Sequence, residues 1–413
     1  MDPNGDILNM ARNALLSGAG VTEAIFWMRK VTERFPGEQY LFYLLGSLLM
    51  KAGNQEEGLR VLGEAQRLLL QEHSIEDVAA FQDRLFEYTR YTQMPNPVFG
   101  GFFSYSAFEE NLSDAEKRRV FKENVCFIEF ESSSLCNRVC HYCPISLMDR
   151  RSDNIIMDSQ IFAKVCGELA EIGYDKVMNM SGFNEPLADR GILERIATAR
   201  RLLPKAYLQL NTNGDYLTRA YLEELRAAGL NDIKISIHRQ PKEPYSSEVA
   251  AERVKKMADR LRIPTYSFAT DTAGIRCSAT FPFEGMSVLM FQSDYENYGL
   301  DRAGLLEGIG LHLPPRTSAC IMPIVMFTIH YNGNVMPCCH FVGDNKRHEP
   351  YVCGNVKEQS IFDIYTGDAL LGWRYSLYTL EQKLPPCDTC TRDVEQPSLN
   401  NPANFTNLPT RKG

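Results

Sequence analysis

Three cysteines share one short stretch, Cys136-Asn137-Arg138-Val139-Cys140-His141-Tyr142-Cys143-Pro144, directly after a run of residues with strand character. A loop of that length can bring three thiolates toward one point. Three is the informative number: four thiolates close an iron–sulfur cubane, whereas three leave one iron open to a further ligand, as catalytic zinc sites keep a free position. The competing reading is a structural zinc site that lacks a fourth thiolate or takes it from His141.

Cys320, Cys338, Cys387 and Cys390 supply a complete four-thiolate set further along the chain, the last two as a Cys-x-x-Cys pair. Zinc would also suit that donor set. Cys339 adjoins Cys338, and neighbours on an extended segment point to opposite sides, so one of the two is expected to bind; the reading favours Cys338. Cys126 and Cys166 fall within an expected strand and helix and read as buried apolar residues. Cys277 and Cys353 are candidates for a reactive thiol, with plain packing as the alternative.

Twelve cysteines in a chain of 413 residues need such an explanation, because the opening MDPNGDILNM has no basic stretch leading into an apolar one. The expected compartment is therefore the reducing cytoplasm. No apolar run approaches the roughly 20 residues that cross a bilayer. A net charge of −8 without a dense Lys/Arg block argues against nucleic acid as partner.

The elements that must position these residues fall into blocks. Residues 1–95 read as an all-α, helical-repeat-like domain, with breaks at Gly18-Ala19-Gly20, Pro36-Gly37 and Gly53-Asn54, and residues 39–70 loosely resemble a tetratricopeptide unit. Such helices serve as a cap or as a surface for a partner or a second copy. Residues 96–119 read as a linker. From there to residue 310 strands alternate with amphipathic helices, the pattern of parallel βα units. Strands are expected at 125–131, 176–180, 206–210, 232–237 and near 264–268, with helices at 158–172, 189–203, 218–229 and 246–261. The fold class is α/β: a partial (β/α)6, TIM-like barrel with its site at the strands' C-terminal ends. Residues 311–395 read as a small α+β unit built around cysteines, and 396–413 as a tail.

The cysteine loop, with the aromatic Tyr142 before its last thiol, resembles the signature of the radical S-adenosylmethionine superfamily. Ser181-Gly182-Phe183-Asn184-Glu185-Pro186 resembles that family's Gly-Gly-Glu-Pro segment, which implies that Gly182, Glu185 and Pro186 meet the methionine end of the cofactor. Asn213, in Asn211-Thr212-Asn213-Gly214, and Ser236 match further cofactor positions, and Arg276 is a candidate partner for a carboxylate through its bidentate fork. The C-terminal unit, with Tyr331-Asn332-Gly333-Asn334 and Gly354-Asn355-Val356, resembles the SPASM domain or its one-cluster form, called twitch.

The resemblance implies two 4Fe–4S clusters, one binding S-adenosylmethionine and one auxiliary, together with a flavodoxin- or ferredoxin-type electron donor. It implies that a 5′-deoxyadenosyl radical takes hydrogen from a substrate C–H bond. Dehydrogenation of a sugar- or cyclitol-type small molecule leads. Epimerisation of a sugar and modification of a peptide or protein stand as alternatives, and a non-catalytic electron carrier as a reading of another class.

Overall fold

The computed structural model describes residues 21–34, scattered positions between 36 and 64, and residues 104–392 apart from 241–242, 264–266, 271–275 and 284. The chain divides into two compact units, Met1–Asp83 and Arg84–Gly413. In the first, helix α1 (Val21–Arg34) places Ile25, Met28 and Val31 at helical spacing, and they pack with Leu45, Leu49 and Val61. Parts of the tetratricopeptide-like stretch, the first residues of the linker and the tail lie outside the described residues.

The second unit is built on one sheet of ten strands. Helix α2 (Asp114–Asn124), which begins inside the stretch read as linker, opens with a capping box in which Ser113 and Glu116 satisfy each other's amides. Then come β1 (Phe127–Phe130), α3 (Ser159–Glu171), β2 (Val177–Asn179), α4 (Ile192–Leu202), β3 (Tyr207–Thr212), α5 (Arg219–Ala227), β4 (Asp232–Ser236) and α6 (Ser247–Leu261). Strands β1 to β4 are parallel neighbours, as successive βα units require.

At the fifth strand the expectation needs correction. Strand β5 (Ser267–Thr270) does not add to the parallel run; it pairs antiparallel with β6 (Arg276–Phe283), which pairs antiparallel with β7 (Met286–Ser293). Strand β7 is the one beside β4, parallel to it. The sixth parallel strand is β8 (Met326–Ile329), which lies beside β1 and comes from the stretch assigned to the C-terminal unit. Strands β9 (Asn334–Met336) and β10 (Gly354–Asn355) extend that edge antiparallel. The two cysteine-bearing regions therefore share one sheet.

One face of the sheet is apolar. Ile128 and Phe130 of β1, Met178 of β2, Leu208 and Leu210 of β3, Ile233 and Ile235 of β4 and Val288 of β7 pack under α3 to α6 in a single core. Phe130 meets Phe162 of α3 edge-on at 4.9 Å. A second aromatic group joins α2 to the C-terminal region, Phe121 contacting Phe327 of β8 and Phe362 and Tyr365 of α7 (Ile361–Thr366) at 5.2–5.5 Å. Each such pair contributes about 0.5–1.5 kcal/mol beyond its buried area.

Strand alternation turns the other residues to the opposite face, and there they are largely polar: Glu129, Asn179, Gln209, Asn211, Asp232, Lys234 and Ser236. Where the chain leaves the parallel strands, that face carries the candidate site.

Candidate active site

The loop after β1 is closed on itself before it presents any thiol. Ser133 bridges Ile156, Ser134 N donates to Ile155 O at 2.9 Å, and Met157 N donates to Ser132 O at 3.0 Å. Within that ring Cys136 N donates to Arg150 O, and Cys143 N to Cys140 O at 2.9 Å, ahead of the 3₁₀ turn Pro144–Leu147. Cys136 and Cys143 pack on an apolar group of Ile145, Phe183, Leu305 and Val342. Burial pushes the Cys136 thiol up to about 12, and the charges of Cys143 and Cys140 add to the shift. Burial and Cys143 likewise raise Cys140. The three thiols thus lie close enough to repel as thiolates, a repulsion that a cationic iron core offsets.

A salt-bridged clamp ties this loop to the turn after β3. Arg138 grips Asp215 through Nε at 2.7 Å and Nη2 at 2.5 Å, and Asn137 donates to the same carboxylate at 2.8 Å. Asn213 Nδ2 donates back to Asn137 Oδ1 at 2.7 Å. Gly214 turns the chain with φ of 76°, in the left-handed region that favours glycine.

Gly182 and Glu185 follow β2. Phe183 N donates to Glu131 Oε1 at 3.0 Å, and a Cβ on Gly182 would lie 2.8 Å from Cβ of Glu131, so the turn passes the β1 end only as glycine. Gly182→Ala is therefore expected to lower stability by about 1–3 kcal/mol in denaturant unfolding. The Glu185 carboxylate accepts from Thr212 Oγ1 and Asn213 N, both at 2.6 Å, and from Leu187 N at 3.0 Å. Burial nevertheless raises its pKa. Glu185 acts here as the tie between the turns after β2 and β3, with Pro186 opening the 3₁₀ turn that it caps.

At the ends of β4 and β7, Ser236 Oγ and Tyr295 OH lie 3.2 Å apart. Tyr142 OH lies 3.0 Å from His238 Nδ1, and the rings of Tyr142, His238 and Tyr295 stand 5.3–6.3 Å from one another. Burial, then the charge of Arg138, pushes His238 down to about 4. Arg276, at the start of β6, lays its guanidinium over the Phe291 ring at 4.0 Å.

The second cysteine group is a pocket lined by Cys320, Cys338, Cys387 and Cys390 with Met322, Pro323 and Leu377. Arg316 braces it, donating to Ser318 O, Ala319 O and Arg392 O, with Nη1 3.8 Å from Cys390 Sγ. Lys383 Nζ donates to Thr379 O and Glu381 O, and burial, then the charge of Arg316, pushes it down to about 8. Burial drives Cys338 well above the usual thiol range, with Cys339, Cys387 and Cys320 adding to it. Cys339 is not among the pocket's lining residues; its electrostatic neighbours are Glu129, Arg392 and Arg302.

Among the described residues no set of three or more His, Cys, Asp or Glu closes to the spacing of a single metal ion. The donor chemistry of both groups, three and four soft thiols, suits iron–sulfur clusters. Cys277 and Cys353 stand apart from both thiol groups. Cys277 lies in the hydrophobic core on the apolar side of β6, and Cys353 packs against the same core with its thiol raised to about 12 by burial.

Two features escaped sequence reasoning. One is the clamp of Asn137, Arg138 and Asp215, which no spacing announces. The other is a buried network at the end of β1: Glu131 Oε1 accepts from Arg150 Nη1 at 2.6 Å, Glu131 Oε2 lies 2.9 Å from His330 Nδ1, and Arg150 also grips Asp344. Burial alone would raise Glu131, but Arg150 and His330 hold it down at about 2. The signal was present in Phe127-Ile128-Glu129-Phe130-Glu131, two carboxyls on one face of a strand expected to be buried.

The thiol trio after β1 and the four-thiol pocket of the same unit lie in stretches that match known protein families. The Radical SAM superfamily profile matches residues 130–268, and that of the SPASM iron-sulfur cluster-binding domain matches residues 320–391. The chain belongs to the radical SAM superfamily and carries a SPASM domain. Its domains are those that bind S-adenosylmethionine with a 4Fe–4S cluster and auxiliary iron–sulfur chemistry.

It is similar to the S-adenosyl-L-methionine-dependent 2-deoxy-scyllo-inosamine dehydrogenase of Niallia circulans, 24% identical over 254 residues, covering 60% of this chain and 86% of that one. It is also similar to the tungsten-containing aldehyde ferredoxin oxidoreductase cofactor-modifying protein of Pyrococcus furiosus, 22% identical over 333 residues, covering 64% and 87%. A crystal structure of BtrN in complex with AdoMet and 2-DOIA aligns at 23% identity and a TM-score of 0.49 over 67% of this chain and 95% of that one. Among the described residues no helix is long and apolar enough to cross a membrane.

Proposed function

We propose that this radical SAM enzyme dehydrogenates a carbinol carbon of a polyhydroxylated ring, of cyclitol or amino-sugar type, to a ketone. The observation that carries the reading is the presence of two separate thiol groups in one unit, three after β1 and four in a pocket. Converting CH–OH to C=O removes a hydrogen atom, an electron and a proton, so a second one-electron acceptor has a use that hydrogen abstraction alone does not give it. The dehydrogenase from Niallia circulans, a cyclitol amine enzyme by its name, agrees with that chemistry.

Cys136, Cys140 and Cys143 would hold the open cluster, and Cys320, Cys338, Cys387 and Cys390 the auxiliary one. Bound S-adenosylmethionine supplies, by one-electron cleavage, the 5′-deoxyadenosyl radical that abstracts hydrogen. Tyr142, Gly182, Glu185, Pro186, Asn213, Ser236 and Arg276 would shape the cofactor's seat. Glu185 and Asn213 fix the turns, Gly182 leaves room at the β1 end, and Tyr142, His238 and Tyr295 form a group of mutually tilted rings beside polar strand ends. The reducing electron would come from a ferredoxin- or flavodoxin-type donor in the cytoplasm.

The test is anaerobic incubation of the iron-reconstituted protein with dithionite, S-adenosylmethionine and 2-deoxy-scyllo-inosamine deuterated at its carbinol carbons. Deuterated 5′-deoxyadenosine together with a product lighter by two hydrogens is expected. Full iron loading with no 5′-deoxyadenosine would refute the enzyme reading. Epimerisation stands as the second reading because the Cys339 thiol lies near Glu129; solvent deuterium on a product of unchanged mass class would favour it.

A further inference from the structure

Two carboxyls, Glu129 of β1 and Glu131 just after it, point to the polar face of the sheet, and their surroundings treat them in opposite ways. Glu131 is paired with Arg150 and His330 and stays ionised. Among the described residues Glu129 forms no such ion pair, although the charges of Arg302 and Arg392 act on it. It sits in register with Asn179 of β2 on one side and Thr328 of β8 on the other. The same row continues through Gln209 and Asp232 to Ser287 of β7, so a belt of polar side chains crosses all six parallel strands.

Along this belt Glu129, Asn211, Lys234 and Ser236 each keep some accessible surface, and β7 alternates buried and half-buried residues along its whole length. Two polar atoms near Glu129 are buried and have no hydrogen-bond partner: Oγ1 of Thr328, which is in register with Glu129, and Nε of Arg302, whose charge acts on it. Orphaned buried donors and acceptors cost about 1–3 kcal/mol each, an expense that folding tolerates where a ligand or water satisfies them.

Arg302 is held by strain as well. With Ala303 it occupies the left-handed region, at φ of 54° and 52°, which costs on the order of 1–3 kcal/mol for such residues. Its guanidinium lies over the Phe183 ring at 5.7 Å and within 3.1 Å of His340 Nδ1. That places a cation between the turn after β2 and the cysteine-rich segment 336–342, on the side of the sheet where Glu129 points.

We propose that Glu129 is the catalytic residue that accepts the hydroxyl proton of the substrate during dehydrogenation, in a substrate pocket it shares with Asn179, Thr328 and Arg302. The inference rests on the dehydrogenase reading. The C–H hydrogen atom leaves to the 5′-deoxyadenosyl radical, the O–H proton passes to the Glu129 carboxylate, and one electron passes to the auxiliary iron–sulfur centre that the four-thiol pocket would hold. The carbon–oxygen bond becomes a carbonyl, and no further oxidant is needed.

Burial, then the charge of Glu131, raises Glu129 to about 8, while Arg302, Asn179 and Arg392 oppose the shift. Cys339 also faces it, and His330 and Arg150 act on it through Glu131. Two titratable groups driven apart in this way are a recurrent mark of acid–base sites, and a base whose pKa lies near the working pH serves proton transfer well. Because the ionised form accepts the proton, ketone formation should rise with pH and level off above about 8.

Two measurements test this on the holoenzyme with both clusters. Infrared difference spectra of wild type minus Glu129→Gln, recorded without substrate, should contain one protonated-carboxyl band that disappears with a midpoint near pH 8. A Glu129 already ionised at pH 6 would overturn the assignment. With deuterated 2-deoxy-scyllo-inosamine, Glu129→Gln should lower ketone formed per 5′-deoxyadenosine by at least about tenfold and remove the pH limb, and Glu129→Asp should restore part of both. An unchanged ratio overturns the role of Glu129 while leaving the dehydrogenase reading intact. Absence of ketone from wild type overturns that reading and this role with it, whatever the infrared result.

Discussion

Cys140→Ala is expected to remove the cofactor-cleaving cluster and lower 5′-deoxyadenosine formation by on the order of a thousandfold or more. Iron and sulfide content should fall by about half, since the four-thiol pocket is untouched. Cys390→Ala should give the opposite pattern. Iron again falls by about half, yet 5′-deoxyadenosine forms and the ketone per 5′-deoxyadenosine drops, because the substrate radical has lost its electron acceptor. The contrast depends on the two thiol groups being physically separate, one packed on Ile145, Phe183 and Val342 and the other enclosed by Met322, Pro323 and Leu377. Identical losses in both variants would mean that the groups support one cluster function rather than two, and the dehydrogenase mechanism would lose its basis. Iron analysis and quantification of both products on anaerobically reconstituted protein decide the matter.

The sequence carried the local chemistry better than the long-range arrangement. Thiol spacing is a property of a few adjacent residues, so the loop at Cys136–Cys143 and the Cys387–Cys390 pair could be read without knowing any tertiary contact. Strands β1 to β4 were legible for a similar reason, each being an apolar run followed by an amphipathic helix. Strand β8 was not, because nothing local in Met326–Ile329 states that it will pair with a strand some two hundred residues earlier. The antiparallel turn-back of β5 to β7 likewise depends on pairing that periodicity leaves open, since a short apolar run fits either direction. Cys277 shows the same limit at the scale of one side chain. Its neighbours, Arg276 and Ser278, are polar, and only the pairing of β6 with β7 decides that the thiol enters the core. Glu129 and Glu131 are the reverse case: two acids in an apolar strand break the local pattern, a local signal that reading the strand as plain core passes over.

Arg150→Met is expected to destabilise the fold by about 3–5 kcal/mol, the cost of leaving one member of a buried ion pair uncompensated. Arg150 and Glu131 are both almost fully enclosed, and the arginine joins the cysteine loop to Asp344 in the C-terminal region. The pH dependence follows from the direction of the shift. Glu131 has a folded pKa of about 2 against an ordinary value of 4.5, so it binds its proton more weakly when folded. It therefore contributes stability that is fully present above about pH 4.5 and is lost as pH falls toward 2, amounting to about 3 kcal/mol. In Arg150→Met the carboxylate keeps only His330, its pKa should rise, and the loss of stability with acid should start from a lower plateau and become shallower. Adding Glu131→Gln to Arg150→Met should recover part of the lost stability, because the second change removes the stranded charge. Urea unfolding of the wild type, Arg150→Met, Glu131→Gln and the double variant between pH 2 and pH 8 measures the coupling and its acid dependence. A double variant no more stable than Arg150→Met alone would show that Arg150 holds the loop chiefly through Asp344, not through Glu131.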